Sequence, residues 1–550
     1  MNETPAATAR RPRSASRPAP ADPTAPADAT APADATAPAG VPGARRALLA
    51  VLALTALAGA LRFATLDQQS LWEDETVTSW LLKGGLGHVL HQLPHTESSP
   101  PLFYVLESGV RALFGRSELA LRALSALAGT ATVPLVFAFA RRVVGARAGL
   151  VAAALVAVSP DLVWYSQEAR AYALMVALVA GALYCLALAT DVGEPKRRRG
   201  WALVGWGACA ALALATHYFA LFVVAPQALW LIARAGASRR VLGACALPAA
   251  AGGALLPLAI TQHAGGGAAY LADIPLGERL GQLPTEWAAG PPAPVSYGLA
   301  YGLVGAGVLA ALVLLVTRAS ARERRLAAGM AALVVAGLVG PLVAEAFGLR
   351  ILDERNAMAL LLAVILALAC GLGARRAPRL GTLAAALLCV GLVAVDAWRW
   401  FDPDVQRENW RDAARALGPA SRPRALVIAP VTDNPAPVPH IVALTGDYLP
   451  DVQVMHSPEV AVAEVDVLDI RGVPYFDDVS AVASPVSPGL GFELAGRVDG
   501  AGFRLFRFRR PTPALVTPGM LRRAPLLPRS PDVMVGVQAP SANLPAASRH

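Results

Sequence analysis

An α-helical polytopic membrane protein of about eleven spans, ending in a small extracytoplasmic α/β domain, is what this amino-acid sequence specifies. Hydrophobic residues make up 55% of the chain and charged ones only 16%, far from the balance of an average soluble domain. Apolar runs of about 20 residues, the length that crosses a hydrocarbon core ~30 Å thick, recur along most of the chain up to Trp398. Lys and Arg fall on alternate loops between those runs, as expected if basic loops stay in the cytoplasm.

Residues 1–44 contain three tandem hexapeptides between Ala21 and Pro38 and few large apolar side chains, which predicts a disordered cytoplasmic tail rich in Pro and Ala. A transmembrane domain over 45–400 follows, with spans at 46–65, 119–140, 148–165, 171–190, 201–217, 218–235, 241–260, 297–317, 326–347, 355–374 and 380–399. Basic residues precede span one (Arg45, Arg46) and separate spans two and three (Arg141, Arg142, Arg147), four and five (Lys196 to Arg199), and six and seven (Arg234, Arg239, Arg240). They do so again after span eight (Arg318 to Arg325) and span ten (Arg375, Arg376, Arg379). This phase puts the N-terminus inside and, with an odd number of spans, everything after Trp400 outside. The net charge of +9 then reflects topology and calls for no nucleic-acid partner. Cys185, Cys209, Cys245, Cys370 and Cys389 all fall within predicted spans and read as small core hydrophobes, without the spacing of a disulfide framework or metal knuckle.

After the last span the composition becomes that of a globular domain, placed at 401–510. Asn409 to Leu417 has helical spacing, with Trp410, Ala413, Ala414 and Leu417 on one face; Ala425 to Ala429 reads as a buried strand. Gly502 to Phe508 mostly alternates apolar and basic residues, which predicts a final strand with one wet face. The Pro-rich stretch 511–550 reads as a loose tail.

Chemistry is concentrated on the predicted outer face. Leu71-Trp72-Glu73-Asp74-Glu75-Thr76 follows the first span, and carboxylates this close to a bilayer are costly unless they perform a task. Glu97 stands just before Pro100-Pro101-Leu102-Phe103-Tyr104. Between spans three and four lies Ser159-Pro160-Asp161 running to Trp164-Tyr165-Ser166-Gln167-Glu168-Ala169-Arg170-Ala171-Tyr172; between five and six, His217-Tyr218-Phe219; before ten, Arg350, Asp353, Glu354 and Arg355. Sharing one face, these ends can converge on a cavity where Arg and His donors suit a phosphate. Each has a structural reading too: solvation of a span end, an interfacial aromatic belt, or a local Glu168–Arg170 pair.

In this order the motifs, with Ser117-Glu118-Leu119-Ala120-Leu121-Arg122 and Asn409-Trp410-Arg411, resemble the GT-C superfamily of membrane glycosyltransferases, in the branch related to protein O-mannosyltransferases and the lipid A aminoarabinose transferase, over about residues 46–510. The resemblance implies a GT-C helical fold; the high Ala and Gly content, with Arg favoured over Lys, suggests a high-GC bacterial genome and so a plasma membrane. The resemblance also implies transfer of a sugar, with inversion, from a polyprenyl-phosphate donor to the hydroxyl of a lipid, protein or polysaccharide acceptor outside the cytoplasm. It names Asp74 as general base and Glu75 as its catalytic helper. The substrate-binding set it implies is Glu97, Arg122, Tyr165, Glu168, Arg170, His217, Tyr218 and Arg355, with Arg122, Arg170 and Arg355 on the phosphate. Cofactors are left open: metal dependence varies across the superfamily. Ser99 stands where relatives carry a His before the Pro pair, and Asn356 follows Arg355 where Tyr is usual.

A transporter or flippase is the competing class. It predicts paired ionisable groups near the midplane or inverted repeats, and Glu345, just after Pro341, is the one acidic candidate inside a span.

Overall fold

A computed structural model describes residues 41–266, 269–291, 298–402, 405–429, 446–449, 451–455, 459–470, 487–523 and 534–539. Apart from residues 41–44, which are helical, the expected N-terminal tail lies outside them. The described residues from Ala47 onward form one compact unit.

The chain is a multi-pass helical membrane protein. Among the described residues seven helices are long and apolar enough to cross alone: Gly43–Phe63, Glu118–Val143, Tyr172–Thr190, Tyr218–Ala235, Arg239–Ala264, Ala321–Ala346 and Pro378–Phe401. The pair Ala146–Ala157 and Pro160–Gln167, bent by 57°, is long and apolar enough only when taken together, as a broken span or a re-entrant loop. The remaining three expected spans are helical as well, but Lys196–Thr216 opens on four basic residues and Gly298–Thr317 and Met358–Leu372 hold shorter apolar stretches.

In chain order the helices are α1 (Val41–Phe63), α2 (Glu73–Lys83), α3 (Gly85–Thr96), α4 (Leu102–Phe114), α5 (Glu118–Val143), α6 (Ala146–Ala157), α7 (Pro160–Trp164), α8 (Tyr172–Thr190), α9 (Lys196–Thr216), α10 (Leu221–Ala235) and α11 (Arg239–Ala264). Then come α12 (Leu276–Ala289), α13 (Gly298–Thr317), α14 (Ala321–Ala346), α15 (Met358–Leu372), α16 (Pro378–Phe401) and α17 (Trp410–Leu417). The three helices α2 to α4 lie between α1 and α5, and α12 lies in the segment before α13.

The break between α6 and α7 has a local cause. Pro160 takes the first turn of α7, where its missing N–H does no harm, and α6 ends at Ala157 with its last carbonyls unmatched. Buried Arg62, from the end of α1, donates to Val156 O at 3.1 Å and Ala157 O at 3.0 Å, and to Ser166 Oγ at 3.1 Å. Broken backbone is tolerated at membrane depth where such donors satisfy it. Small residues let other helices close up: a Cβ on Gly371 of α15 would lie 2.0 Å from the Ala311 carbonyl of α13.

Loops expected on the basic face touch one another. Arg142 pairs with Asp191 at 2.7 Å, Arg322 donates to Arg142 O at 3.2 Å, Arg375 to Val144 O at 3.1 Å, and Arg147 to Thr382 Oγ1 at 2.9 Å. Four separate basic loops therefore share one end of the bundle.

The C-terminal domain is a six-stranded sheet in the order β2-β6-β1-β3-β5-β4, built from β1 (Arg424–Ala429), β2 (Val452–Val454), β3 (Val460–Ile470), β4 (Glu493–Gly500), β5 (Phe503–Val516) and β6 (Met534–Gln538). β1 and β3 are parallel and the other pairs antiparallel. Asn409 caps α17, accepting the Asp412 N–H, and Trp410, Ala413 and Leu417 pack on Leu426, Leu468, Phe503 and Leu505. Two expectations change here. The strand read as having a wet face is apolar on both, since Phe506 and Phe508 pack with Val465, Val467 and, from α18 (Pro518–Arg523), Leu521. The domain also does not stop at Arg510: β5 continues to Val516, and β6 sits between β1 and β2. Gln538 there meets the buried Arg424, 114 positions earlier. Met-Val-Gly-Val-Gln is too short to show a period, and only its distant partners make it a strand.

Candidate active site

The first turn of α2 consists of Glu73, Asp74 and Glu75, negative charge at the positive end of a helix. Neighbouring residues on a helix point about 100° apart, so Asp74 and Glu75 serve different surroundings. Glu75 turns inward and is fully buried. It accepts the Trp72 N–H at 3.3 Å and the Ala169 N–H at 2.8 Å, and it closes a two-pronged pair with Arg122, Nε to Oε1 at 2.7 Å and Nη2 to Oε2 at 2.6 Å. Burial pushes its pKa up, but Arg122, with Arg407 and the Ala169 amide, holds the carboxyl below its ordinary range. Arg122 donates its other N–H groups to Leu66 O, Gln69 O and Ser70 O. The two residues engage each other and fix the turn that leads into α2.

Asp74 faces the other way, with 23% of its side chain exposed. Arg355 Nη1 lies 3.2 Å from its Oδ2 and Arg170 Nε 3.9 Å. Arg170 is itself held: its Nη1 donates to both Glu97 oxygens at 2.9 Å, and Ser125 Oγ donates to its carbonyl. Burial raises the Glu97 pKa by more than Arg170 and the Tyr104 hydroxyl lower it. Arg355 also donates from Nε to Asp353 Oδ2 at 2.9 Å. The rings of Tyr165, Tyr172 and His217 form a row, with centroids 5.1 and 5.4 Å apart. His217 accepts the Phe219 N–H at Nδ1, 3.2 Å, which leaves the neutral ring's proton on Nε2.

The structure thus gathers Asp74, Glu97, Tyr165, Glu168, Arg170, His217 and Arg355 around one site, brings Glu75 and Arg122 together beneath it, and turns Tyr218 aside. The Tyr218 hydroxyl donates to Gln262 Oε1 at 2.8 Å, and Gln262 holds the Leu93 and Ser99 carbonyls at 3.1 Å.

Arg407, which the sequence does not single out, is almost fully buried, donates to Glu168 Oε1 at 2.9 Å and lies 3.6 Å from Glu75 Oε2. Its guanidinium stacks on Trp164 at 4.3 Å, and Arg399 stacks on the same ring at 4.3 Å. Glu168 is 239 residues from Arg407, so no local pattern announces the pair. Burial pushes Glu168 up to about 7 despite Arg407. Tyr165 donates to Glu354 Oε1 at 3.1 Å; burial raises Glu354 and pushes neighbouring Glu286 up to about 8.

The C-terminal domain reaches the same turn. Tyr448 Oη accepts the Leu71 N–H and donates to Glu118 Oε1, both at 2.6 Å, and Lys83 pairs with Asp447 at 2.6 Å. A cavity of about 480 Å³ opens at this seam, between Leu71, Ser79, Glu118, Arg411 and Tyr448.

Among the described residues no group of three His, Cys, Asp or Glu side chains is arranged to hold a metal, and the site's carboxylates Glu75, Glu97 and Asp353 already face arginines. Among the described residues these donors do not fit a metal. Glu345, the acidic group a transporter would use, is paired with buried Arg279 at 2.6 Å.

Residues 98–261 match the family model of dolichyl-phosphate-mannose-protein mannosyltransferases, the branch that the sequence motifs resemble. That stretch holds Arg122, Tyr165, Glu168, Arg170, His217 and Tyr218. No curated protein matches the chain. Among solved structures it is similar to the Saccharomyces cerevisiae protein O-mannosyltransferase Pmt1-Pmt2 complex bound to the sugar donor (20% identity, TM-score 0.30, 41% of this chain and 33% of that one). It is similar also to an oligosaccharyltransferase of Archaeoglobus fulgidus (16%, 0.40, 67% and 55%) and to ArnT of Cupriavidus metallidurans (14%, 0.36, 84% and 98%). The chain spans about a third of the yeast protein and just over half of the archaeal one.

Proposed function

We propose that this chain, similar over residues 98–261 to the dolichyl-phosphate-mannose-protein mannosyltransferases, is a membrane glycosyltransferase. It moves a sugar from a polyprenyl-phosphate donor to an acceptor hydroxyl on the outer face. One observation carries the reading: Asp74 is a partly exposed carboxylate at a helix start, with the guanidinium groups of Arg355 and Arg170 at 3.2 and 3.9 Å. A base beside two phosphate-binding cations is what glycosyl transfer from a phosphate needs.

In this reaction Asp74 accepts the acceptor hydroxyl proton while that oxygen bonds to the anomeric carbon. The bond from that carbon to the phosphate oxygen breaks, and polyprenyl phosphate leaves with one more negative charge. Arg355 and Arg170 stabilise it. Burial and pairing remove Glu75 and Glu97 from competition as nucleophiles, which favours a single displacement and hence inversion. Glu75 and Arg122 then act by holding Asp74 in place, while Tyr165, Tyr172 and His217 wall the sugar side. The shared face of the basic loops supports an orientation with the N-terminus in the cytoplasm and the C-terminal domain outside.

The test is transfer of label from polyprenyl-phosphate hexoses by membranes holding the native chain or Asp74→Asn. The expected result is turnover that falls by about 10²- to 10⁴-fold in the variant. Undiminished turnover in Asp74→Asn would remove Asp74 as base. No turnover with any donor and an envelope extract as acceptor would overturn the transferase reading itself.

A further inference from the structure

We propose that Asp74 and the donor phosphate compete for one guanidinium, that of Arg355, so that donor binding itself strips the base of its closest cation. The inference rests on the transferase reading and adds to it a reason why the base acts only beside a bound donor.

The two arginines near Asp74 are not equivalent. Arg170 is fixed by both Glu97 oxygens and through its own carbonyl, and it reaches Asp74 only at 3.9 Å. Arg355 is 20% exposed and sits in the turns ahead of α15. Its Nε is tied to Asp353, whose other oxygen accepts the Glu354 N–H at 2.9 Å. Asp353 is therefore a pivot, about which the Nη1 end can turn from Asp74 to a neighbouring anion.

A carboxylate paired with a guanidinium is a poor proton acceptor, since its charge is already balanced. A phosphate offers Arg the same two-pronged geometry as a carboxylate. The donor's phosphodiester carries one negative charge and the departing phosphate gains another, so the pull on Arg355 grows as the sugar leaves. Turning Arg355 away removes that balancing charge and leaves Asp74 the better proton acceptor.

Binding of a short-chain polyprenyl phosphate to the purified full chain in detergent tests this without turnover. Asp74→Asn removes the competitor and should tighten binding about threefold to tenfold, the range a partly exposed ion pair supports. In an Arg355→Gln background the same change should alter affinity less than about twofold, because the closest shared cation is gone and Arg170 stays fixed on Glu97. An equal gain in both backgrounds would reduce the effect to plain charge repulsion and overturn the competition, as would no gain in either. Failure of the native, folded chain to bind the lipid phosphate would instead overturn the donor reading beneath it. Thermal unfolding of each variant separates lost affinity from lost fold.

Discussion

The two ends of the helix bundle use arginine in opposite ways. At the basic end, Arg322 and Arg375 donate to backbone carbonyls of neighbouring loops, and the exposed Arg198 pairs with Glu194 in the turn before α9. At the other end, Arg122, Arg170 and Arg407 are buried, and each closes on a carboxylate from a distant part of the chain. Exposed charges of the first kind suffice to retain a loop in the cytoplasm. Buried pairs of the second kind carry a desolvation cost that simple anchoring would not require, so their concentration at one end marks where charge must be held in a fixed geometry.

Adjacent Asp74 and Glu75 sharpen that contrast most. Glu75→Ala leaves Arg122 buried without its partner, an expected loss of about 3–5 kcal/mol that should appear as a collapsed thermal midpoint in detergent. Asp74→Asn, on a partly exposed carboxylate, should change stability by no more than about 1 kcal/mol while slowing transfer by about 10²- to 10⁴-fold. Equal destabilisation by the two would erase the distinction between a held carboxylate and a working one.

Legibility followed the range of the signal. The spans could be read because each is a local apolar run, and the bend at Pro160 falls where the sequence already places a turn chemistry of Ser159-Pro160. That the motifs would meet could be read because alternation of basic loops puts the span ends that carry them on one face. What could not be read is pairing: that Glu75 takes Arg122, that Glu97 takes Arg170, and that Arg407 reaches back to Glu168. Tyr218 adjoins His217 in sequence yet turns to Gln262, because the chain changes direction between α9 and α10. The sheet beyond Arg510 was hidden for the same reason, since β6 is recognisable only beside β1.

A titration probes the buried end more gently. Folded Glu168 holds its proton up to about 7, whereas an unfolded glutamate releases it near 4.5. Between those values the folded chain binds more protons than the unfolded one, so this group lowers stability as pH rises through the window. Glu168→Gln should therefore flatten the decline of the thermal midpoint between about pH 4.5 and 7. An unchanged slope would mean that Arg407 keeps Glu168 charged throughout, and the burial argument at this position would fail.

The smallest effect is expected at the basic end. Arg198→Ala removes an exposed pair one turn apart and should shift stability by less than about 0.5 kcal/mol. Its charge still matters to orientation, and the native cysteines lie within helices of the bundle, which leaves room for reporters. Val192→Cys, in the exposed loop before α9, should resist a membrane-impermeant maleimide in intact cells and react once they are opened. Val498→Cys, on exposed β4, should react in both. The reverse pattern would turn the molecule over, placing Asp74 and its arginines on the cytoplasmic side, where a donor presented to the outer face could not reach them.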